Sequence, residues 1–194
     1  MLVNHGSGQP SDWLQRWAHL LPAGGSVLDL ACGAGRHLRW LVARGHRLTG
    51  VDRDAAALEP LHALAEVVVA DTEAGPWPLA GRRFDGVLVT NYLWRPLLPA
   101  IVDAVADGGV LIYETFADGQ QAIGRPSRPE FLLQPGELLS ACRSLRVVAY
   151  EDGFADAPPR FVQRIVAARP GAGAAAPVHR LAAGPAPVGH GPGG

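Results

Sequence analysis

Three aspartates and two glycines have the types and the spacing of a ligand site. Gly33 and Gly35 lie in the run VLDLACGAGRH, between an apolar stretch and a segment with helical character. Glycines let a backbone approach a ligand closely, and a helix N-terminus offers unpaired N–H groups to a negative group. Asp29 precedes them in the same run, and Asp52 and Asp71 end the next two apolar runs, RLTGVD and VVVAD. Because ligands bind at the carboxyl ends of parallel strands, the acids are expected beside one nucleotide-like ligand.

The negative charge of Asp29 separates the possible cofactors. A carboxylate beside the pyrophosphate of a dinucleotide would repel it, whereas the ammonium and sulfonium groups of S-adenosylmethionine would be attracted. The dinucleotide fingerprint G-x-G-x-x-G also requires a third glycine, and this chain has Leu38 at that position. We therefore expect S-adenosylmethionine as the cofactor, with its ribose hydroxyls on Asp52. Its adenine amino group is expected near Asp71, with the N–H of Thr72 available to a ring nitrogen.

Candidate residues for the methyl acceptor follow the fourth and fifth apolar runs. Asn91 and Tyr92 end VLVTNY, where they either orient an acceptor by hydrogen bonds or cap the following helix. Glu114 is an acid inside an apolar run, so it is either a general base or paired with a basic group. Arg125 and Arg128 lie in the long connection that follows. Their guanidinium groups are expected to bind an anionic acceptor, or Arg125 instead ties this loop to an acid such as Glu114 or Glu130.

The elements that must position these residues follow an α/β pattern. Short runs of Val, Leu and Ile are apolar on successive residues, which is typical of strands buried on both faces. The predicted strands are Val27–Ala31, Leu48–Asp52, Val67–Asp71, Phe84–Asn91, Val110–Phe116, Leu145–Tyr150 and Phe161–Ala168. The segments with helical character are Asp12–Leu21, Arg36–Arg44, Ala55–Ala65, Leu97–Ala106 and Pro135–Ser144.

This alternation predicts a Rossmann-like, doubly wound sheet of seven strands that is mostly parallel. The link EDGFADAPPR contains Gly and Pro-Pro, which predicts that the last two strands form an antiparallel hairpin. Residues 1–168 are therefore expected to form one domain. Residues 169–194 are dominated by Gly, Ala and Pro and contain no acid, so we predict a disordered tail.

Composition excludes several chemistries. All 17 basic residues are arginines, so a Walker-A loop, a lysine Schiff base and a lysine general base are absent. The formal net charge of −1 argues against a nucleic-acid-binding surface. Cys32 and Cys142 are too few for a disulfide framework or a four-ligand zinc site, and no metal is expected. No secretory signal or membrane segment is visible, so we expect a cytoplasmic protein without a membrane partner.

The stretch DLACGAGRHLRWLVARGHRLTGVD resembles motif I through the second strand of class I S-adenosylmethionine-dependent methyltransferases. The resemblance extends over residues 11–168. The later stretch VTNYLWRPLLPAIVDAVADGGVLIYETF and the run GRPSRPEFLLQPGELL resemble small bacterial methyltransferases of the tellurite-resistance type. The resemblance implies a sheet of seven strands with an antiparallel strand in the last hairpin. It also implies that Asn91 lines the donor site, where we expect Ala31, Arg36 and Arg53 as well.

We predict a methyltransferase that moves a methyl group from S-adenosylmethionine to a small-molecule acceptor, without a nucleic-acid partner. The alternative is a non-catalytic module that binds S-adenosylmethionine. Methyl transfer needs no diagnostic nucleophile, so the sequence does not separate an enzyme from such a module. A nicotinamide-dependent oxidoreductase is disfavoured, because Leu38 replaces the third glycine and no lysine can form a Tyr-x-x-x-Lys pair. The acceptor and the oligomeric state stay open.

Overall fold

The computed structural model describes residues 8–171, 173 and 178–181, and its centre is one sheet of seven strands. The strand order is β3-β2-β1-β4-β5-β7-β6. Neighbouring strands from β3 to β5 are parallel, and β7 runs antiparallel to both β5 and β6. The predicted doubly wound α/β sheet with a C-terminal antiparallel hairpin is confirmed. The strands are β1 (Ser26–Leu30), β2 (Arg47–Asp52), β3 (Glu66–Val69), β4 (Phe84–Thr90), β5 (Val105–Phe116), β6 (Arg146–Asp156) and β7 (Pro159–Ala168).

Helices cover both faces of the sheet. The first three pack with Val27 and Ile112 on one face, and the last two pack with Leu28 and Leu111 on the other. Successive residues of a strand point to opposite faces, so the continuous apolar runs supply both cores. The helices are α1 (Asp12–Trp17), α2 (Arg36–Val42), α3 (Ala55–Leu58), α4 (Leu98–Asp103) and α5 (Glu137–Ala141).

The helices are shorter than the sequence pattern predicts. The predicted helix Ala55–Ala65 is α-helical only to Leu58 and continues as a 3₁₀ turn, Glu59–Leu61, around Pro60. Proline removes a backbone donor and crowds the preceding turn, which favours the tighter 3₁₀ geometry. By contrast, β6 is longer than predicted, because its pairing with β7 continues to Asp156.

The strand order reverses direction at β1 and β4, which lie side by side at the centre of the sheet. Such a switch point leaves a crevice at the carboxyl ends of the two strands. Ala31 follows β1 and Asn91 follows β4, and both have left-handed backbones, with φ of 56° and 54°. A non-glycine residue in this region costs about 1–3 kcal/mol and is common at functional sites. The backbone geometry therefore marks this crevice.

The predicted boundary at residue 168 stays a prediction. Arg169 donates hydrogen bonds from its guanidinium to the carbonyl oxygens of Val102 and Val105, both at 2.8 Å, so the residue after β7 is held on the body. Most of the predicted disordered tail, and residues 1–7, lie outside the described residues. Within the described part of the chain, no helix is long and apolar enough to cross a membrane.

Candidate functional site

The glycine-rich turn between β1 and α2 uses its two left-handed glycines for different purposes. A Cβ at Gly35 would lie 2.6 Å from a methyl of Leu61, so this glycine lets α2 pack against the segment after α3. A Cβ at Gly33 would meet no atom within 4 Å, although φ is 53°. Gly33 therefore borders open space, which a ligand can approach closely.

Asp52, at the end of β2, connects this turn to the next strand. Its Oδ2 accepts a hydrogen bond of 2.7 Å from the Gly33 N–H, and its Oδ1 accepts one of 3.0 Å from the Asp54 N–H. A carboxylate has about four acceptor positions, so each oxygen keeps a lone pair for a ligand hydroxyl. The carboxylate is thus oriented before any ligand binds.

A small cavity of about 140 Å³ lies at the ends of β1, β2 and β3. Its lining brings together several residues that the sequence predicts for the donor: Ala31, Asp52, Arg53, Asp71 and Thr72. Asp71 accepts hydrogen bonds on Oδ1 from the next turn of backbone, at 3.0 and 3.2 Å, which leaves its Oδ2 available. We call this space the donor cavity.

Tyr92 lines the donor cavity and also a second, larger cavity beside it. Its hydroxyl lies 2.9 Å from Oγ1 of Thr72, and its carbonyl accepts a hydrogen bond of 2.9 Å from the buried Tyr113 hydroxyl. Burial raises the pKa of Tyr92, and the hydrogen bond with Thr72 offsets part of this increase. The phenol is therefore protonated at neutral pH and available as a hydrogen-bonding group.

A second cavity of about 1060 Å³ adjoins the first, and both are lined by Arg53, Glu73 and Tyr92. It lies at the ends of β4 and β5, beneath the connection between β5 and α5. The lining includes residues that the sequence predicts for the acceptor, namely Asn91, Tyr92, Arg125 and Arg128. It also includes Trp94, Thr115, Phe116 and Phe131, which no sequence motif singled out. We call this space the acceptor cavity.

The two arginines of the connecting loop differ in their surroundings. The Arg128 Nε donates to Oε1 of Glu130 at 2.8 Å, and its guanidinium lies 5.0 Å from the ring centroid of Phe131. Arg128 thus pairs with Glu130, a pairing that the sequence analysis considered for Arg125. The side chain of Arg125 has no carboxylate partner among the residues that the structure describes.

Arg95, which the sequence pattern did not indicate, holds this loop in place. Its guanidinium forms a two-pronged ion pair with Glu137 of α5, at 2.7 and 2.9 Å. It also donates to the carbonyl oxygens of Glu130 and Leu132, both at 2.8 Å. Such planar, charge-assisted contacts fix geometry as well as adding energy. Arg95 therefore joins the segment after β4 to the loop that covers the acceptor cavity.

Comparison with known families identifies the domain. Residues 27–109 match the family model described as a methyltransferase domain. These 83 of the 194 residues are therefore similar to a methyltransferase domain. The methyl donor expected for such a domain is S-adenosylmethionine, which is the cofactor that the sequence predicts.

Known proteins similar to this methyltransferase domain fall into two groups. One is tRNA U34 carboxymethyltransferase, 31% identical in Edwardsiella ictaluri over 58% of this chain and 41% of that protein. The match to the Klebsiella pneumoniae protein is 30% identical and covers 54% of this chain and 36% of that protein. The chain therefore spans about two fifths of the length of these curated relatives.

The second group consists of solved structures with the same fold. TehB from Haemophilus influenzae is 17% identical, with a TM-score of 0.64 over 86% of this chain and 64% of that one. An S-adenosylmethionine-dependent methyltransferase from Mesorhizobium loti is 19% identical, with a TM-score of 0.62 over 79% and 95% of the two chains. These likenesses establish the fold.

Asp29 of the methyltransferase domain lies away from both cavities, contrary to the sequence-based expectation. It is fully buried on the α1 side of β1, and its Oδ2 lies 3.5 Å from Nδ1 of His37. Within the described residues its carboxylate oxygens have no hydrogen-bond donor. A residue of β1 points to one face of the sheet rather than to its edge, which explains the difference. The acidic residues of the donor cavity are instead Asp52, Asp71 and Glu73.

Arg36 does not reach Asp29 or either cavity. Its guanidinium donates to the carbonyl oxygen of Gln9 at 3.3 Å. The next residue, His37, accepts a hydrogen bond of 3.3 Å on Nε2 from the Ser11 N–H. The first turn of α2 therefore holds the segment before α1, and a contact of Arg36 with the donor is not supported by this geometry.

Glu114 faces the α1 side of the sheet, whereas its neighbours Thr115 and Phe116 line the acceptor cavity. It is 1% exposed and accepts a hydrogen bond from the Ser11 hydroxyl, which also caps α1. Its Oε2 lies 3.6 Å from Arg160 and 3.7 Å from Arg164. A general base must reach the acceptor. The structure instead gives Glu114 the paired, anchoring surroundings that the sequence left as the alternative.

No metal site supplements these groups in the described ranges, 8–171, 173 and 178–181. Groups of three or more His, Cys, Asp or Glu side chains with metal-binding geometry do not occur there. The polar chemistry at the two cavities thus comes from carboxylates, hydroxyls, an amide and guanidinium groups.

Proposed function

We propose that this chain transfers a methyl group from S-adenosylmethionine to a small-molecule acceptor. The observation that carries the proposal is the junction of two cavities at Tyr92, one with an acidic rim and one with several aromatic rings in its wall. A cationic donor suits the first, and an acceptor suits the second. Such paired concave sites at the switch point of an α/β sheet are typical ligand sites.

The residues of the donor cavity fit S-adenosylmethionine. Asp52 is already oriented by two backbone N–H groups and keeps lone pairs for both ribose hydroxyls. The free Oδ2 of Asp71 and the backbone of Thr72 would hold the adenine. The open space at Gly33 would admit the methionine part, and Asn91, after β4, would border the donor from the acceptor cavity. Arg53 lies where the two cavities meet and would border the ribose.

The chemistry needs alignment more than acid or base groups. When bound, S-adenosylmethionine supplies a methyl carbon whose bond to sulfur breaks, with the electron pair going to sulfur, as an acceptor lone pair forms the new bond. Tyr92 and Asn91 would orient the acceptor by hydrogen bonds, and the rings around them would exclude water. Neither residue is a strong base, so the accepting atom either already carries an available lone pair or is deprotonated by another group of this cavity, such as Glu73.

A second candidate is an RNA acceptor, because the curated relatives are named tRNA U34 carboxymethyltransferase. The near-neutral composition, with 17 basic and 18 acidic residues, does not favour it. An RNA-modifying enzyme would bind a tRNA anticodon hairpin with an affinity that falls steeply as salt increases. A small-molecule enzyme would show no such binding.

The test is calorimetric titration of the protein with S-adenosylhomocysteine and with NADH. We expect binding of the first only. Asp52→Asn is expected to weaken the binding of S-adenosylhomocysteine by about 1–3 kcal/mol, because the ribose loses an ionised acceptor. The control Asp107→Asn removes an exposed carboxylate near the start of β5, which pairs with Arg83. Binding of NADH alone, or equal effects of the two substitutions, would refute the assignment. A donor-binding module without activity would bind S-adenosylhomocysteine but transfer no methyl group.

A further inference from the structure

The wall of the acceptor cavity is unusually rich in aromatic rings. Tyr92, Trp94, Phe116 and Phe131 line it, and each is only partly buried, whereas most large apolar side chains of the domain are fully buried. Partly exposed rings leave flat apolar surface facing the cavity. Flat surface is best covered by another flat group, because stacked and edge-to-face contacts add to the area that is removed from water.

The charges around the two cavities have opposite signs. Asp52, Asp71 and Glu73 line the donor cavity. In the acceptor cavity the charges of Arg53 and Glu73, which line both cavities, offset each other, and the ion pair of Arg128 with Glu130 is neutral in sum. Arg125 therefore leaves this cavity with one positive charge, and it has no carboxylate partner in the described part of the chain. A guanidinium group without a partner binds carboxylates and phosphates well, because its donors match two acceptor oxygens.

We propose that the acceptor cavity takes a small molecule that combines a planar ring with an anionic group, with the ring on the aromatic wall and the anion on Arg125. This inference rests on the proposed function for the identity of the cavity and adds the class of acceptor. The ring would lie among Trp94, Phe116 and Phe131, beside Tyr92 and the methyl group of the donor. The anion would lie toward the loop, at the end away from the acidic rim.

The position of the loop supports this geometry. Arg125 and Phe131 belong to the same connection, and Arg95 fixes the segment beside Phe131 through the carbonyls of Glu130 and Leu132. The pocket is therefore formed before binding rather than assembled around the ligand. A preformed site binds more tightly, because less conformational entropy is lost when the ligand enters.

The experiment separates planarity from charge with matched probes. The protein, saturated with S-adenosylhomocysteine, is titrated with benzoate and naphthoate as planar anions. Benzyl alcohol and naphthylmethanol are the planar neutral comparators, and cyclohexanecarboxylate and decahydronaphthoate are the non-planar anions. Calorimetry gives the affinities. We expect a planar anion to bind at least about tenfold more tightly than both of its comparators, which corresponds to about 1.4 kcal/mol.

Two variants locate the binding. Arg125→Gln is expected to weaken binding of the planar anion about tenfold and to leave the neutral ring unaffected. Phe116→Leu keeps an apolar side chain but removes a flat face, so it is expected to weaken both planar probes. The matched control is Arg146→Gln, because Arg146 is an exposed arginine at the start of β6, at the end of the sheet opposite to the acceptor cavity. This control is expected to bind every probe as the wild type does.

Three results would overturn the inference. The first is that non-planar or neutral probes bind as tightly as the planar anions. The second is that none of the planar anions binds. Equal losses in Arg125→Gln and Arg146→Gln would show only a general effect of charge. Uridine monophosphate and an RNA hairpin test the nucleic-acid alternative. If the hairpin binds much more tightly than the mononucleotide, the acceptor cavity belongs to an RNA site. Absence of S-adenosylhomocysteine binding refutes the proposed function separately, and the probes are then read on the protein alone.

Discussion

Gly33 and Gly35 share a left-handed backbone but meet different neighbours, and this difference assigns them different roles. Gly35 is required because a side chain would collide with Leu61, so its contribution is to packing. Gly33 borders open space, so packing does not explain its presence. The left-handed backbone favours glycine there, and the open space leaves room for the ligand that we propose.

Gly33→Ala is expected to reduce the affinity for S-adenosylhomocysteine at least about tenfold, because the new methyl group would occupy the space of the donor. The matched control is Gly45→Ala after α2, where φ is 82° and the space is also open. Both substitutions are expected to cost about 1–2 kcal/mol of stability, because alanine is strained in this conformation. Calorimetry and thermal unfolding measure the two effects. An equal loss of affinity in both variants would remove the special role of Gly33.

The surroundings of Glu114 predict an effect on stability rather than on donor binding. Glu114→Gln removes the charge that faces Arg160 and Arg164, and it leaves both guanidinium groups without that counterion. We expect a loss of about 2–4 kcal/mol in the free energy of unfolding, measured with urea. The affinity for S-adenosylhomocysteine is expected to stay at the wild-type value.

The control for this substitution is Glu151→Gln. Glu151 pairs with Arg16 at 2.8 Å on the surface and lies 3.8 Å from Arg164. The substitution therefore removes a similar carboxylate charge, but one that is exposed. Exposed pairs contribute about 0–1 kcal/mol, so little change is expected. If Glu114→Gln were as stable as this control, the anchoring role of Glu114 would be wrong.

At the scale of elements, the sequence predicts the strands better than the connections. All seven strands are predicted from apolar runs, and the central strands β1 and β4 are buried on both faces, as such runs indicate. The edge strands β3 and β6 are more exposed. Residues at strand ends, such as Asp52 and Thr72, could then be placed in the donor cavity. Asp29 could not, because its face of the strand depends on the pleat. The rings of Trp94 and Phe131 come from separate connections, and only long-range packing brings them together.

Arg95 is the clearest example of a residue that local sequence cannot indicate, since its partners lie 35 to 42 positions away. Arg95→Gln is expected to loosen the loop that carries Arg125, because four short hydrogen bonds to it and to α5 are lost. Amide hydrogen exchange in residues 124–134 is expected to increase about tenfold or more, which corresponds to about 1.4 kcal/mol of local stability. Exchange in β1 and β4 is expected to stay unchanged.

Arg82→Gln is the matched control for the loop. Arg82 makes a similar two-pronged ion pair with Glu66, at 2.7 and 2.8 Å, but it joins β3 to the segment before β4. If the loop were held only by the overall charge of the protein, Arg82→Gln and Arg95→Gln would increase its amide exchange equally. Faster exchange of the loop in Arg82→Gln would therefore contradict the role assigned to Arg95.

At the scale of the whole molecule, the sheet separates two apolar cores, and each contains a buried cysteine. Cys32 packs on the side of α1 and α2, and Cys142 packs on the side of α4 and α5. Burial raises the pKa of both thiols, and for Cys142 the value reaches about 12. The negative charges of Asp29 and Asp52 raise the pKa of Cys32 further. Tyr113 is likewise buried, and its pKa is raised mainly by burial.

These shifts predict a loss of stability in alkali. A group with a raised folded-state pKa stabilises the protein fully below its unfolded pKa, and this contribution is lost as the pH rises toward the folded value. Above about pH 9 each thiol ionises in the unfolded chain but stays protonated in the folded protein. Each one therefore lowers the free energy of unfolding by about 1.4 kcal/mol for every further pH unit. Urea unfolding under reducing conditions from pH 7 to 10.5 measures the slope.

Cys142→Ala is expected to be less stable than the wild type at pH 7 by about 1–2 kcal/mol, because it leaves a small cavity. Above pH 9 its stability is expected to fall less steeply, by about one proton, so that the two curves approach each other. Packing alone would displace the whole curve by a constant amount and leave the slope unchanged. Parallel curves would therefore show that Cys142 ionises equally in both states, and that burial in this core does not hold the thiol neutral.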